Sequence, residues 1–541
     1  MSEHQRYYLT TPLYYVNSRP HIGHSYTNIA CDALARHWRQ RLGRDKVFFL
    51  TGTDEHGQKI ARAAQAAGQE PQAFTDAISG TFRQLWTALN VDYDVFIRTT
   101  EERHKQAVRK VWTDLDAKGD IYSSSYQGYY CTPCETFLTE ETVRQMTSEG
   151  REVTCPDCKR AAERIEETNY FFRMSKYQDW LVRALENGAD EQGRPMVVLP
   201  ETRRNEVLGF LKANKLEDLC VSRPKARLSW GIETPLSSEH VTYVWFDALV
   251  NYVSACGYGS DPVALERWWP ADVHVIGKDI LRHHAIYWTI LLKALGLAPP
   301  RLIFAHGWWV VGGEKMSKSK GNVVDPVEIA AQYGVDAYRY FLLRETPFGQ
   351  DGVFSQEALT LRFNTDLAND LGNLLNRSLT MCEKYFGGEV PAFEVSAKAA
   401  ELKDLVDGLS GRVERAMERL AFHEALQAIW EPIGRANKYI EESAPWTLAK
   451  EGRTAELKTV IGALHEVLSA TAKMLYPFMP ATAEAVASQL GIERLEVVPY
   501  PVRWGSFAAG GRRIAKGAPL FPRIEDPDKP KTGDKKKAKS A

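Results

Sequence analysis

The N-terminal stretch constrains the fold of this chain more than any other. Aromatic and apolar residues at 7–15 are typical of a buried β-strand, and apolar residues at helical spacing then predict a helix that ends at Gly43. His21, Gly23 and His24 fall at the junction of the two elements, where α/β proteins bind phosphates and nucleotides. The junction predicts either a phosphate site, with two imidazole donors beside a residue that lacks a side chain, or an ordinary helix start that carries two histidines.

A second polar stretch, residues 312–322, carries three lysines between glycines. Such a loop is usually a solvated turn, although lysine is a compact cation suited to a polyphosphate. The strings His-Ile-Gly-His at 21–24 and Lys-Met-Ser-Lys-Ser at 315–319 together resemble the two signature motifs of class I aminoacyl-tRNA synthetases. The resemblance implies that the two distant stretches serve one ATP-dependent reaction.

Strands and helices alternate after the first helix, which predicts a parallel sheet. One apolar strand leads into Asp54 and another, at 273–276, leads into Asp279. At the carboxyl end of a strand, Asp54 is suited to a substrate ammonium and Asp279 to ribose hydroxyls, but a helix N-cap is the alternative for both. The aromatic stretch 241–252 predicts an apolar pocket or, more commonly, an ordinary core.

Two Cys-x-x-Cys turns interrupt this alternation. Their four cysteines have the spacing of a tetrahedral zinc site, and four thiolates leave no open position for a substrate. We therefore expect one structural Zn²⁺, with two unrelated thiol turns as the alternative. The predicted ligands are Cys131, Cys134, Cys155 and Cys158. The other four cysteines are scattered, which argues against a disulfide framework and fits a reducing cytosol.

Beyond residue 361 apolar residues repeat at helical spacing, which predicts an antiparallel helix bundle. Asn373 and Arg377 share a helix face, and Trp446 follows a proline. An amide, a guanidinium and an aromatic ring could read and stack unpaired bases, although a polar helix face with a packed tryptophan is commoner. The lysine-rich end, 529–541, is expected to be disordered.

The bulk composition excludes some classes of protein. A length of 541 residues suggests three or four domains, and a net charge of −1 means that any nucleic-acid surface is a local patch. The N-terminus is polar and the longest apolar run is too short to cross a bilayer. We expect a cytoplasmic protein without a membrane segment.

Further strings narrow the resemblance to the methionyl-tRNA synthetases, over roughly residues 7–505. They are Thr-x-Leu-Tyr-Tyr-x-Asn at 11–17, Thr-Asp-Glu-His-Gly at 53–57, the cysteine turns at 131–158, Tyr-Val-Trp-Phe-Asp-Ala at 243–248, Gly-Lys-Asp-Ile at 277–280 and Ala-Pro-Trp at 444–446. The resemblance implies an α/β, Rossmann-type catalytic domain with a zinc-knuckle insertion, followed by an all-α anticodon-binding bundle. It also implies that the chain joins L-methionine to tRNA(Met) through methionyl-adenylate, with Mg²⁺ bound to the ATP.

The resemblance assigns roles to individual residues. It implies that ATP is bound by His21, Gly23, His24, Asp279, Lys315 and Lys318, with the histidines and lysines catalytic. It implies that Asp54 holds the methionine ammonium and that the side chain is enclosed by Leu13, Tyr15, Trp245, Ala248, Tyr252, His284 and Trp288. It implies that the anticodon is read by Asn373, Arg377 and Trp446.

The predicted segments follow the same resemblance. They are 1–114 and 236–325 for the halves of the catalytic domain, 115–235 for the insertion, 326–360 for helices that contact the tRNA stem, 361–505 for anticodon binding and 506–541 for a tail. Because this tail is too short for the dimerising domain of some relatives, we expect a monomer. A class I synthetase for another small apolar amino acid and a zinc-knuckle RNA-binding protein without catalysis are the alternatives.

Overall fold

The structure, a computed structural model, describes residues 5–131, 136–311, 314, 315, 324–507 and 510–525. Of the predicted site residues, Cys134 and Lys318 lie outside these ranges, as does the lysine-rich end. For Lys315 the structure describes the backbone but not the side chain. The chain divides into two units. The first runs to Trp309 and takes in Gly349–Asp351, and the second contains Glu328–Phe348 and the chain from Gly352 onward.

The strands are numbered along the chain. They are β1 Tyr7–Tyr15, β2 Val47–Asp54, β3 Val95–Arg98, β4 Ile121–Cys131, β5 Thr136–Phe137, β6 Glu163–Phe172, β7 Val197–Leu199, β8 Leu219–Cys220, β9 Ser222–Pro224, β10 Glu233–Thr234, β11 Ser237–Thr242, β12 Val273–Gly277, β13 Leu302–His306, β14 Trp309–Val311, β15 Glu314–Lys315 and β16 Gly352–Val353.

The helices are numbered in the same way. They are α1 Ile22–Leu42, α2 Gln58–Ala66, α3 Pro71–Ala88, α4 Glu102–Ala117, α5 Glu140–Ser148, α6 Gln178–Asn187, α7 Glu201–Ala213, α8 Val244–Leu249, α9 Asn251–Ser254, α10 Pro262–Trp268, α11 Thr289–Leu295, α12 Pro326–Tyr333, α13 Val335–Arg344, α14 Gln356–Arg362, α15 Asn373–Phe386, α16 Ala400–Glu418, α17 Phe422–Ser443, α18 Pro445–Lys450, α19 Thr454–Leu475 and α20 Pro480–Gln489. Two π-helical stretches, His283–Trp288 and Phe363–Gly372, precede α11 and α15.

The core of the first unit is a six-stranded sheet in the order β3-β2-β1-β12-β13-β7. Every neighbouring pair is parallel, and every residue of β2 is buried, as expected for a strand covered on both faces. The chain moves outward from β1 to β3 and later returns to the other side of β1 with β12. The strand order therefore reverses between β1 and β12, the position at which open α/β sheets bind ligands.

The insertion that carries the cysteine turns has a different architecture. A four-stranded antiparallel sheet, in the order β5-β4-β6-β8, is built on a long ladder between β4 and β6 that runs from Ile121↔Phe172 to Tyr130↔Glu163. Cys131 is the last residue of β4, so the first predicted zinc ligand lies at the end of this ladder, next to the pair Tyr130↔Glu163.

Helices form most of the second unit. In α16 the buried residues Leu402, Val406, Leu409 and Val413 repeat at three- and four-residue spacing, which gives the helix one apolar face for its neighbours. Residues 510–515 then return alongside 388–390, where Val390 N–H donates to Arg512 O at 2.8 Å and Ile514 N–H donates to Gly388 O at 2.9 Å. Residues 510–525, which the sequence analysis assigned to the tail, are thus partly anchored to the helical unit.

The predicted parallel α/β sheet and the helical C-terminal region are both confirmed. Among the described residues, none of the helices combines the length and the apolar character needed to cross a bilayer.

Candidate active site

The two signature histidines cap the helix that they begin. His21 is the N-cap of α1, and its Nδ1 accepts from Gly23 N–H at 3.1 Å. His24 returns the contact, because its Nδ1 accepts from His21 N–H at 3.0 Å. The pair forms a capping box in which imidazoles replace the usual serine and glutamate. The alternative of an ordinary helix start is therefore correct in part, since both histidines have a structural role.

These hydrogen bonds also fix the chemistry of the rings. A neutral imidazole whose Nδ1 accepts carries its proton on Nε2, so Nε2 is the donor atom of both histidines. Gly23 is constrained by the same arrangement, because a Cβ placed there would lie 3.0 Å from Cε1 of His21. A side chain at Gly23 would displace the ring of His21.

Asp54 is the last residue of β2 and lies opposite Tyr15 in the parallel ladder with β1. The ladder places the predicted ammonium ligand beside a residue of the predicted methionine pocket. The N-cap of the following helix is Gly57, which excludes the alternative that Asp54 caps it. At Gly52 the neighbouring strand approaches so closely that a Cβ would lie 2.0 Å from Ile97 O.

Glu55 anchors the loop that follows Asp54. This buried carboxylate accepts from Arg98 through both oxygens, at 2.7 and 2.9 Å, and from the hydroxyls of Thr53 and Thr100, each at 2.6 Å. Four donors to one buried carboxylate make a rigid attachment to the end of β3. Asp54 is therefore held by its own strand and by the residue after it.

Four of the predicted pocket residues contact one another through their aromatic rings. Tyr252 donates its O–H to His284 Nε2 at 2.7 Å, and the rings of Tyr252 and Trp288 lie 5.6 Å apart. Trp245 meets His284 edge to face at 6.4 Å. Leu13 and Tyr15 pack on the same core, and Ala248 lies one turn after Trp245 on α8. The structure thus places the predicted pocket residues on four elements, which are β1, α8, α9 and the π-helical stretch before α11.

The histidine of the predicted pocket, His284, is neutral. His284 donates from Nδ1 to Ile280 O at 2.9 Å, which leaves Nε2 as the acceptor for Tyr252. Burial lowers the pKa of His284 to about 4. The ring is therefore neutral at physiological pH.

Asp279 lies just beyond β12, where its Oδ1 accepts from Trp308 Nε1 at 3.1 Å. The N-cap of its short helical turn is Gly277, so the alternative of a helix cap is wrong for Asp279 as well. A Cβ at Gly277 would lie 2.6 Å from Asp279 Oδ1, so the absence of a side chain at Gly277 makes room for this carboxylate.

Sequence reasoning missed two buried histidines on strands of the central sheet, one on β12 and one at the end of β13. His274 accepts from Trp288 Nε1 at 3.2 Å and contacts Thr10 Oγ1 at 2.8 Å, while His306 contacts Thr27 Oγ1 at 2.8 Å. Burial lowers the pKa of both rings. The signal was present in the sequence, because a histidine within an apolar strand needs a polar partner.

The cysteine cluster fits a tetrahedral metal. The Sγ atoms of Cys131, Cys155 and Cys158 all lie within 4.8 Å of one another, and those of Cys131 and Cys158 are 3.5 Å apart. Zinc–sulfur bonds of about 2.3 Å in a tetrahedron require sulfur separations of about 3.8 Å. Of the predicted ligands, Cys134 lies outside the described residues. The three described thiols form a site that could hold Zn²⁺.

The predicted anticodon residues lie in the second unit. Asn373 is exposed at the start of α15, and Arg377, one turn later, pairs with Glu441 on α17 at 2.6 Å. Trp446 on α18 is 47% exposed, which is unusual for a tryptophan. α17 ends at Ser443, so Glu441 connects the helix of Arg377 to the turn that presents Trp446.

Comparison with known proteins identifies the family. A family model described as "tRNA synthetases class I (M)" matches residues 7–379, and one for the anticodon-binding domain of tRNA ligases matches residues 405–503. The methionine–tRNA ligase of Caldanaerobacter subterraneus subsp. tengcongensis is 48% identical over 522 residues, which cover 96% of this chain and 79% of the relative. That of Clostridium acetobutylicum is 47% identical over 534 residues, with 97% and 79% covered. The chain belongs to the methionyl-tRNA synthetases.

Solved structures of methionyl-tRNA synthetases share the fold. The Mycobacterium tuberculosis enzyme bound by methionyl-adenylate is 42% identical, with a TM-score of 0.87 over 96% of this chain and 100% of that one. Its ligand-free form has a TM-score of 0.81 at 39% identity. The predicted enzyme class, methionine–tRNA ligase (EC 6.1.1.10), is confirmed. Family membership also sets aside a synthetase for another amino acid.

Proposed function

We propose that this chain activates L-methionine with Mg-ATP and transfers the methionyl group to tRNA(Met), for both initiation and elongation of translation. In the first step a carboxylate oxygen of methionine attacks the α-phosphate of ATP, which yields methionyl-adenylate and pyrophosphate. In the second a ribose hydroxyl at the tRNA terminus attacks the methionyl carbonyl and AMP leaves. No protein nucleophile is required, because positioning and charge stabilisation supply the catalysis.

One observation carries the proposal. The ladder that pairs Tyr15 with Asp54 lies at the carboxyl ends of β1 and β2, and the imidazole capping box of His21 and His24 follows β1 directly. β1 is also one of the two strands between which the strand order reverses. An ammonium site and a phosphate site are thereby next to each other, as the attack of an amino-acid carboxylate on ATP requires. The methionyl-adenylate in the Mycobacterium relative supports the same intermediate here.

The residue roles are part of the proposal. Asp54 binds the ammonium, and the Nε2–H groups of His21 and His24 donate to the phosphate oxygens as charge develops. Asp279 accepts from the ribose, while Gly23 lets the nucleotide approach the backbone. The pocket of Leu13, Tyr15, Trp245, Ala248, Tyr252, His284 and Trp288 encloses the thioether, which is favourable against aromatic edges.

The remaining roles rest on the family resemblance. Lys315 and Lys318 hold the departing pyrophosphate. Asn373, Arg377 and Trp446 read the anticodon, with helices at 326–360 against the tRNA stem. Cys131, Cys134, Cys155 and Cys158 hold one Zn²⁺, which supplies structural cross-linking of the insertion and no chemistry with substrate. We propose a cytoplasmic monomer.

ATP–pyrophosphate exchange with each of the twenty amino acids, without tRNA, tests the activation step. We expect exchange with methionine to exceed the rest by at least about 10-fold, the lower limit for one methylene of difference in an apolar pocket. Faster exchange with another amino acid would overturn the pocket. Absence of exchange with all twenty would favour the RNA-binding alternative, and a second assay with tRNA present would then separate it from an enzyme that requires tRNA.

A further inference from the structure

Asp247 is a fully buried carboxylate that the proposed reaction does not use. Its Oδ2 accepts from His56 Nδ1 and its Oδ1 accepts from His104 Nε2, both at 2.7 Å. The side chain of Asp247 has no exposed surface, and neither histidine side chain is more than 5% exposed. Two short hydrogen bonds therefore satisfy both oxygens of one carboxylate in the interior.

The three residues come from different elements of the proposed methionine site. His56 lies two residues after Asp54, in the loop that follows β2. Asp247 lies on α8 between Trp245 and Ala248. The bond between His56 and Asp247 thus connects the proposed ammonium ligand to the proposed side-chain pocket. The two residues that make this bond, His56 and Asp247, are 191 positions apart in the sequence.

His104 extends the connection to α9. It lies on α4, and its Nδ1 contacts Ser254 Oγ at 2.9 Å. Ser254 belongs to α9, the helix that also carries Tyr252. The carboxylate on α8 is therefore linked by side-chain hydrogen bonds to the loop after β2 through His56, and to α9 through His104 and Ser254.

Asp247 is ionised in this environment. Burial alone would raise its pKa, yet the pKa lies below its ordinary value because His56 and His104 both donate to the carboxylate. Hydrogen bonds to a charged acceptor in the interior are short and strong, and the loss of one partner is costly.

We propose that Asp247 is a positioning residue for methionine, which sets the distance between Asp54 and the pocket walls of α8 and α9. The inference rests on the proposed function of Asp54. It goes beyond that function because Asp247 touches neither substrate: it acts through His56 on the loop and through its own backbone on α8.

The first test is Asp247→Asn, which keeps the shape and removes the charge. The control is Asp272→Asn, another buried carboxylate, which pairs with Arg6 and Arg301 at the amino ends of β1 and β12, whereas Asp54 lies at the carboxyl end of β2. In ATP–pyrophosphate exchange we expect Asp247→Asn to raise KM for methionine by about 10- to 100-fold, as for a misplaced binding group, with KM for ATP changed less than about 3-fold. Asp272→Asn should leave KM for methionine within about 2-fold.

Two inhibitors separate positioning from a general loss of structure. Methioninol keeps the ammonium, and 4-(methylthio)butanoate lacks it. We expect Asp247→Asn to weaken inhibition by methioninol while inhibition by the deaminated acid is retained. Equal weakening of both inhibitors, or an unchanged KM for methionine, would overturn the inference.

A second pair of variants covers the case in which Asp247→Asn does not fold. The Nδ2–H of an asparagine occupies the position of a histidine Nδ1–H, so His56→Asn keeps the donor and His56→Ala removes it. We expect the alanine variant alone to raise KM for methionine; equal values in the two variants would contradict the proposal. Asp54→Asn separates the proposed function of Asp54 from the positioning role of Asp247. If it leaves KM for methionine unchanged, the proposed function of Asp54 fails, whereas a rise with Asp54→Asn but not with Asp247→Asn refutes only the positioning role.

Discussion

Each signature histidine uses one ring nitrogen for folding and is proposed to use the other for catalysis, and substitution can separate the two. The Nδ1 of His24 caps the backbone at His21. Asparagine places an acceptor near the Nδ1 position, and glutamine places a donor near the Nε2 position. We expect His24→Asn to slow adenylate formation by about 10²- to 10³-fold, because it removes one donor to the developing charge. Single-turnover measurement of adenylate formation gives the rate.

The matched variant tests the same division in reverse. His24→Gln should retain more of the activation rate than His24→Asn but should unfold at a lower temperature, since a lost helix cap costs about 1 kcal/mol. If His24→Asn lowers the unfolding temperature but leaves the rate of adenylate formation unchanged, the roles assigned to the two ring nitrogens are wrong.

The buried histidine of the proposed methionine pocket predicts a loss of stability in mild acid. The pKa of His284 is about 4 in the folded chain and about 6.5 in the unfolded chain, so the unfolded state binds more protons between these values. The neutral ring makes its full contribution to the free energy of unfolding above pH 6.5. This contribution, roughly 3 kcal/mol in total, is lost as the pH falls toward 4. Urea titrations at several pH values in this range should show the free energy of unfolding falling more steeply with decreasing pH for the unsubstituted chain than for His284→Gln. Equal pH dependence in the two chains would contradict the lowered pKa of His284.

At the scale of elements, the cysteine cluster joins the end of β4 to the turn at 155–158. We expect about one Zn²⁺ per chain by elemental analysis, and a clear loss of metal and of thermal stability in Cys155→Ser, because metal binding to such a site is coupled to folding. Cys382→Ser is the control, since this buried thiol lies on α15, outside the cluster. Full zinc occupancy in Cys155→Ser would remove the cysteine from the ligand set.

Elements with strong local patterns were predictable, and those fixed by distant contacts were not. The strand β1 and the helix α1 follow directly from an aromatic run and a helical apolar period. By contrast, β7 has three residues and finds its place at the sheet edge only through β13. The π-helical stretch His283–Trp288 leaves no signature in residue spacing. Pairing partners across hundreds of residues lie beyond any local pattern.

The candidate site shows the same limit at finer resolution. Asp54 and the histidine pair could be placed at strand ends, since parallel strands bring their carboxyl ends together. The mutual capping of His21 and His24 could not, because it depends on the ring orientation of each. Nor could the partners of His274 and Asp247, which come from elements remote in sequence.

At the scale of the whole molecule, two units imply two separable functions. We expect Trp446→Ala in the second unit to raise KM for tRNA by about 10-fold or more, as base stacking is worth roughly 1–3 kcal/mol. ATP–pyrophosphate exchange without tRNA should be unchanged. Val497→Ala, an exposed apolar residue of the same unit, is the control. An equal effect of both variants on aminoacylation would contradict a specific role for the ring.

The return of residues 510–525 along the helical unit bears on how this chain can be shortened. Ile524 and Asn364 exchange two hydrogen bonds, at 2.9 and 3.0 Å, and Phe521 contacts the buried ring of Phe363. The anticodon-domain match ends at residue 503, well before these contacts. A minimal fragment cut at that match would leave an apolar surface uncovered and invite aggregation. For excision, grafting or fusion, the folded module therefore extends to about residue 525, beyond the end of the anticodon-domain match.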